Sequence, residues 1–171
     1  SGGFDCVLGN PPWERIKLQE EEFFATRHRD VAEAKNKAQK DKILDRIKKS
    51  QPNLYQSYEK AAQAIWVTQQ FIHESGRFPT SSFGRLNTAP LFVELSMDLS
   101  GPDGRVGLVV PSGIANDSFN QKLFNRMFDE QRLSALIDFL NSAPIFPAVH
   151  RNAKFSLLSM GRNQGVAKFA S

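Results

Sequence analysis

The chain has 171 residues and a mass of 19.2 kDa, with 40% apolar and 23% charged residues, a composition that excludes intrinsic disorder and fibrous repeats. Lys and Arg number 22 against 18 Asp and Glu, a net charge of +4 with a pI near 9.3, which admits a nucleic-acid partner without requiring one. No apolar run reaches the roughly 20 residues of a membrane helix, no signal-peptide pattern opens the chain, and the single cysteine, Cys6, supports neither a disulfide framework nor a cysteine-based zinc site, so a reducing, cytoplasmic setting is expected.

Taken in order, Phe4-Asp5-Cys6-Val7-Leu8-Gly9 is an apolar run that reads as a buried strand, ended by the rigid turn Gly9-Asn10-Pro11-Pro12. From Arg27 to Lys49 helix formers dominate and Gly and Pro are absent, which predicts helix up to the break at Ser50-Gln51-Pro52-Asn53. Tyr55, Tyr58, Ala62, Ile65, Trp66, Gln69 and Ile72 then recur at helical spacing, so an amphipathic helix runs to about Glu74. A turn-rich loop over 76–85 leads to a helix from about Ala89, ended by the turn Ser100-Gly101-Pro102-Asp103-Gly104. Further strands are predicted at 105–111, 133–140 and 153–160. The helix between the first two is capped by Asp117 or Ser118, with Phe119, Phe124 and Phe128 at core spacing. Strands alternating with helices point to an α/β fold, a mostly parallel sheet covered on both faces.

The tetrad Asn10-Pro11-Pro12-Trp13 lies where the carboxyl end of a strand meets a loop, the place ligands occupy in open α/β sheets. The Asn10 side-chain oxygen and the Pro11 carbonyl are two acceptors on a turn stiffened by prolines. Fixed acceptors suit the two N–H bonds of a ring amino group, and accepting both frees the nitrogen lone pair for attack. Trp13 offers a flat face for stacking a base. The plain structural alternative is a strand-ending turn with a buried tryptophan.

Phe-Asp-Cys-Val-Leu-Gly-Asn-Pro-Pro-Trp resembles motif IV of the S-adenosylmethionine (AdoMet)-dependent amino-methyltransferases. The run 105–114, preceded by Asn87 and the Leu91-Phe92 helix, is similar to a second block of the fused restriction–methylase family of N6-adenine DNA methyltransferases. The stretches 137–141, 145–147 and 155–158 look like its motif VIII region. The resemblance implies a Rossmann-like methyltransferase sheet, AdoMet as cofactor, double-stranded DNA as partner, and a flipped-out adenine sandwiched between Trp13 and Phe146 while Asn10 and Pro11 hold its amino group. It also implies that strands four to seven of the family's sheet are present. The glycine-rich AdoMet motif, strands one to three and the target-recognition domain would lie outside residues 1–171. The chain is then expected to be a partial catalytic domain with a helical insertion over 14–86, inactive alone.

The segment from Arg27 to Lys49 carries nine Lys/Arg against four Asp/Glu, so the basicity of the chain is concentrated there. Lys35, Lys37, Lys40, Lys42, Lys48 and Lys49 are candidate phosphate contacts, against the plainer reading of a solvated helix face laced with ion pairs. His28, His73 and His150 share no metal-ligand spacing, so no metal is expected. His150 is expected in an exposed loop. Two other functions stay open: an Asn-Pro-Pro-aromatic methyltransferase acting on RNA or on protein glutamine, and a non-catalytic DNA-binding scaffold.

Overall fold

Runs of β-branched and aliphatic residues flanked by glycine and proline form the strands, and the Ala-, Lys- and Gln-rich stretches form the helices. The computed structural model describes residues 2–142, 145–147, 150–162 and 165–170. The elements are β1 (Phe4–Gly9), α1 (Glu20–Ala25), α2 (Arg29–Ala32), α3 (Lys37–Ser50), α4 (Pro52–Glu74), α5 (Thr88–Leu99), β2 (Ser100–Pro111), α6 (Gly113–Asn116), α7 (Gln121–Asp129), β3 (Leu133–Leu140), β4 (Lys154–Met160) and β5 (Lys168–Ala170). They divide into two units, Ser1–Arg15 with Ser75–Ser171, and Ile16–Glu74.

The first unit is built on a five-stranded sheet in the order β1-β2-β4-β3-β5. β1 pairs parallel with β2 and β3 with β5, while β4 runs antiparallel to both β2 and β3. Four strands therefore share one direction and β4 opposes them, which makes this a mostly parallel α/β sheet, as expected. Residues 100–104 form no free turn. They are the bulged start of β2, where the register with β1 jumps between Phe4↔Ser100 and Cys6↔Arg105. Gly104 permits this, because a Cβ there would lie 2.4 Å from the Phe4 carbonyl oxygen. β5 is not among the strands expected from the sequence.

Within this unit the helices cover one face only. Val93 and Met97 of α5 and Leu123 and Met127 of α7 pack on Val106, Leu108 and Val110 of β2, Leu136 of β3 and Leu158 and Met160 of β4. Leu8 and Leu157 alternate with core residues along their strands, point to the other face, and are 78% and 41% exposed. Among the described residues of this unit, the expected helical cover on the second face is not found. Nor do all three phenylalanines near α7 enter the core. Phe119 and Phe128 are exposed, because Leu123 and Met127 hold the inward face of the helix, and Phe128 stacks on Phe169 of β5 at 6.4 Å instead.

Buried Glu94 of α5 ties this unit together. Its carboxylate accepts hydrogen bonds from the backbone N–H and hydroxyl groups of Thr80 and Ser81 and pairs with Arg126 of α7 at 3.3 Å. Arg126 also pairs with Asp98, which in turn takes Arg77 at 2.8 Å. Burial opposes charge on Asp98, but the two guanidiniums outweigh it and hold its carboxyl below the ordinary range.

The second unit is all helical. The basic stretch 27–49 is not one continuous helix. It breaks between α2 and α3, where Asn36 caps α3 by accepting the Gln39 N–H at 2.9 Å. Pro52 opens α4 at the first helical position, where its missing N–H costs nothing. Phe24, Val31 and Ile47 form the small core, lined by Phe23, Tyr55 and Tyr58. Among the described residues no helix is long and apolar enough to cross a membrane.

Candidate functional site

β1 ends at Gly9, and the chain then turns through Asn10 to Trp13 beyond the carboxyl edge of the sheet. The Pro11 ring is buried, while Asn10 is exposed. Among the described residues, neither the Asn10 amide nor the Pro11 carbonyl has a hydrogen-bond partner within the chain. The exposed Asn10 amide is therefore available to a ligand, and the Pro11 carbonyl beside it is left unpaired within the described chain. The rest of the turn is clamped. The Trp13 indole N–H donates to the Val109 carbonyl of β2 at 3.2 Å. The Thr88 hydroxyl donates to the Pro12 carbonyl at 2.6 Å and accepts the Glu14 N–H at 3.0 Å. The Asn87 amide donates to the Trp13 carbonyl at 3.4 Å, while its oxygen caps α5 through the Ala89 N–H. The first turn of α5 thus grips the backbone on either side of Trp13 and leaves Asn10 free.

Phe146 comes from the loop after β3, and its ring meets Trp13 edge to face, with centroids 6.5 Å apart and planes at 70°. Behind it, Phe155 packs edge-on against Phe146 at 5.2 Å and stacks on Phe139 at 5.3 Å. The tetrad and Phe146, separated by more than 130 residues in sequence, are therefore brought together at one end of the sheet. His150 is exposed, and its Nδ1 accepts the Asn152 N–H at 3.1 Å.

The six candidate lysines lie on the helical unit and are not equivalent. Lys40 is tied to Glu20 at 2.9 Å and is partly buried, so it leaves the set of free cations. Its partner Glu20 also accepts the Tyr58 hydroxyl at 2.6 Å. Burial and the Glu20 carboxylate push the Tyr58 phenol up; burial opposes charge on Glu20, but Tyr58 and Lys40 outweigh it and hold that carboxyl low. Lys35, Lys37, Lys42, Lys48 and Lys49 are exposed, with the Lys48 ammonium over the Tyr55 ring at 5.1 Å.

The sequence singles out none of Thr88, Val109 and Asn87 as clamps. Asn87 before a helix is a legible cap, but bonds to a turn more than 70 residues away leave no local signal.

The model of the Eco57I restriction-modification methylases matches residues 55–146, more than half of the chain. The chain belongs to that family. The matched span runs from α4 through Phe146 and includes the α5 clamp and Val109, while the Asn10–Trp13 turn lies ahead of it. No curated protein matches the chain. Among solved structures, one from Listeria monocytogenes assigned as a class I S-adenosylmethionine-dependent methyltransferase is similar at 12% identity and a TM-score of 0.48, over 99% of this chain and 37% of that one. The chain thus spans well under half the length of that structure.

Proposed function

We propose that this chain carries the substrate-facing half of the active site of a site-specific DNA adenine N6-methyltransferase of restriction–modification type. The observation that carries the reading is the exposed, unpaired Asn10 amide next to the unpaired Pro11 carbonyl, set beside the Trp13 and Phe146 rings on a turn otherwise locked by Thr88, Asn87 and Val109. A free amide on a clamped turn is arranged to receive a ligand rather than to hold the fold.

An adenine in a duplex is out of reach, so the target is flipped out at a cost of a few kcal/mol. Trp13 and Phe146 stack the extruded base, which favours adenine or another flat ring over an open-chain amide. Asn10 Oδ1 and the Pro11 carbonyl accept the two N6 hydrogens and hold the nitrogen with its lone pair directed away from the ring, a positioning effect that needs no strong general base. When bound, S-adenosylmethionine would supply an electrophilic methyl group to that nitrogen and leave as S-adenosylhomocysteine, and one N6 proton would then pass to water. Among the described residues no glycine-rich strand-to-helix turn of the dinucleotide-cradle kind is found, so the residues present fit only the region around the transferred methyl. The exposed lysines of α3 and its approach are the proposed phosphate contacts to double-stranded DNA.

The test is incubation of the full-length protein with methyl-labelled S-adenosylmethionine and unmethylated DNA, RNA or protein extract. Label in DNA recovered as N6-methyladenine is expected. Label only in RNA or protein would move the activity to another amino substrate, and no label in any fraction, with no S-adenosylmethionine bound, would favour the scaffold.

A further inference from the structure

The loop after β3 has no regular structure among its described residues, yet Phe146 has both backbone polar groups fixed. Both bonds come from one side chain. Asn141, fully buried at the end of β3, accepts the Phe146 N–H on Oδ1 at 3.1 Å and donates from Nδ2 to the Phe146 carbonyl at 3.1 Å. The same Nδ2 reaches the His150 carbonyl at 3.5 Å, and the Asn141 backbone N–H donates to the Ala153 carbonyl at 3.0 Å.

We propose that Asn141 is a positioning residue for base binding: its amide fixes the backbone of Phe146 and so holds that ring beside Trp13. The inference rests on the reading of Phe146 as one wall of the base pocket. Only a planar amide of this length serves. It offers an acceptor to an N–H and a donor to a C=O of one residue, and holding both fixes the direction of that residue's Cα–Cβ bond. Aspartate keeps the acceptor but sets a second oxygen against the Phe146 carbonyl. Serine is too short to span both groups. The buried position at the end of a paired strand gives the amide a rigid base, since Leu140 is still in register with Lys154 of β4. A buried amide needs partners for its donor and its acceptor, and Asn141 finds them on the backbone of the loop that carries Phe146.

The experiment is a double-mutant cycle on methyl transfer by the full-length protein, with DNA varied at saturating S-adenosylmethionine and thermal unfolding recorded for each variant. Asn141→Asp is expected to raise the KM for DNA about tenfold, with the KM for S-adenosylmethionine unchanged within about twofold. In a Phe146→Ala background the same substitution is expected to change the KM for DNA by less than about twofold, because the ring it holds is gone. Asn141→Ser repeats the cycle without introducing a charge. If Phe146→Ala alone leaves the KM for DNA unchanged, the wall reading falls and the positioning role falls with it. If Phe146→Ala raises that KM but the Asn141 variants do not, or multiply it equally in both backgrounds, the positioning role is overturned and the wall stands. Loss of the folded state in both Asn141 variants, with Phe146→Ala folded, assigns Asn141 to stability and also overturns the proposal.

Discussion

The Trp13 indole and the Phe146 ring touch edge to face at 6.5 Å, with their planes at 70°. A base stacked between two rings lies face to face with each, so the rings have to come near parallel to hold one. The indole is pinned to Val109 through its N–H, so Phe146 is the ring that has to turn when a base enters. Stacking is worth about 1–3 kcal/mol per base, so Phe146→Ala should raise the KM for DNA by roughly 5- to 150-fold, and Phe146→Tyr should restore most of it. An unchanged KM in the alanine variant would place the base elsewhere.

Thr88 reaches the tetrad from α5 and contributes two bonds through one hydroxyl. Thr88→Val keeps the shape and removes both, leaving the Pro12 carbonyl and the Glu14 N–H without that partner. A destabilisation of about 0.5–1.5 kcal/mol is expected, with Tm lowered by a few degrees, together with a fall in kcat as the turn loosens. Thr88→Ser should recover kcat. Equal kcat for all three proteins would show that the clamp serves folding alone.

Asp98 gives the fold an acid-sensitive contribution. Its folded pKa is held low against burial by Arg77 and Arg126. The unfolded chain therefore takes up its proton first as pH falls. The stabilisation is complete above the ordinary carboxylate value near 4 and is lost as pH falls through the lower folded value. Arg126→Gln removes one of the two cations, so its Tm should lie below that of the wild type at pH 7, and the gap should narrow towards pH 2. A gap constant with pH would contradict this account.

The exposed lysines should report on DNA through salt. Replacing Lys42, Lys48 and Lys49 by Gln should reduce the slope of log affinity against log salt by about 0.9 for each phosphate that is no longer neutralised. Lys40→Gln should act differently, lowering Tm because its ion pair with Glu20 is broken while leaving that slope unchanged. Identical slopes in the triple variant and wild type would remove these lysines from the DNA surface.

The strands are legible where they are long and aliphatic. The limits of β3 agree with those expected, and β4 starts one residue later than expected. β5 is not legible because Lys168–Ala170 is three residues long and exposed throughout, so it carries neither alternation nor a buried run. Residues 100–104 read as a turn because Gly and Pro signal one. Here Gly104 serves the close approach of β2 to β1 instead. The tetrad and Phe146 are visible as residue types. What holds them is not: the Thr88, Val109 and Asn141 bonds join side chains to backbone only once the sheet has formed, and hydrophobic periodicity does not encode them.

Asn10 is the residue on which the account turns, and its substitution by alanine is the most direct test. It is exposed and unpaired within the described chain, so Asn10→Ala should fold normally. In the full-length protein, transfer of labelled methyl to DNA adenine should fall at least about a hundredfold, the scale set by misplacing a reacting group. Affinity for S-adenosylmethionine, measured by calorimetry, should stay within about threefold of wild type. Transfer within tenfold of wild type in a folded, cofactor-binding Asn10→Ala protein would contradict the proposal that this amide holds the reacting nitrogen.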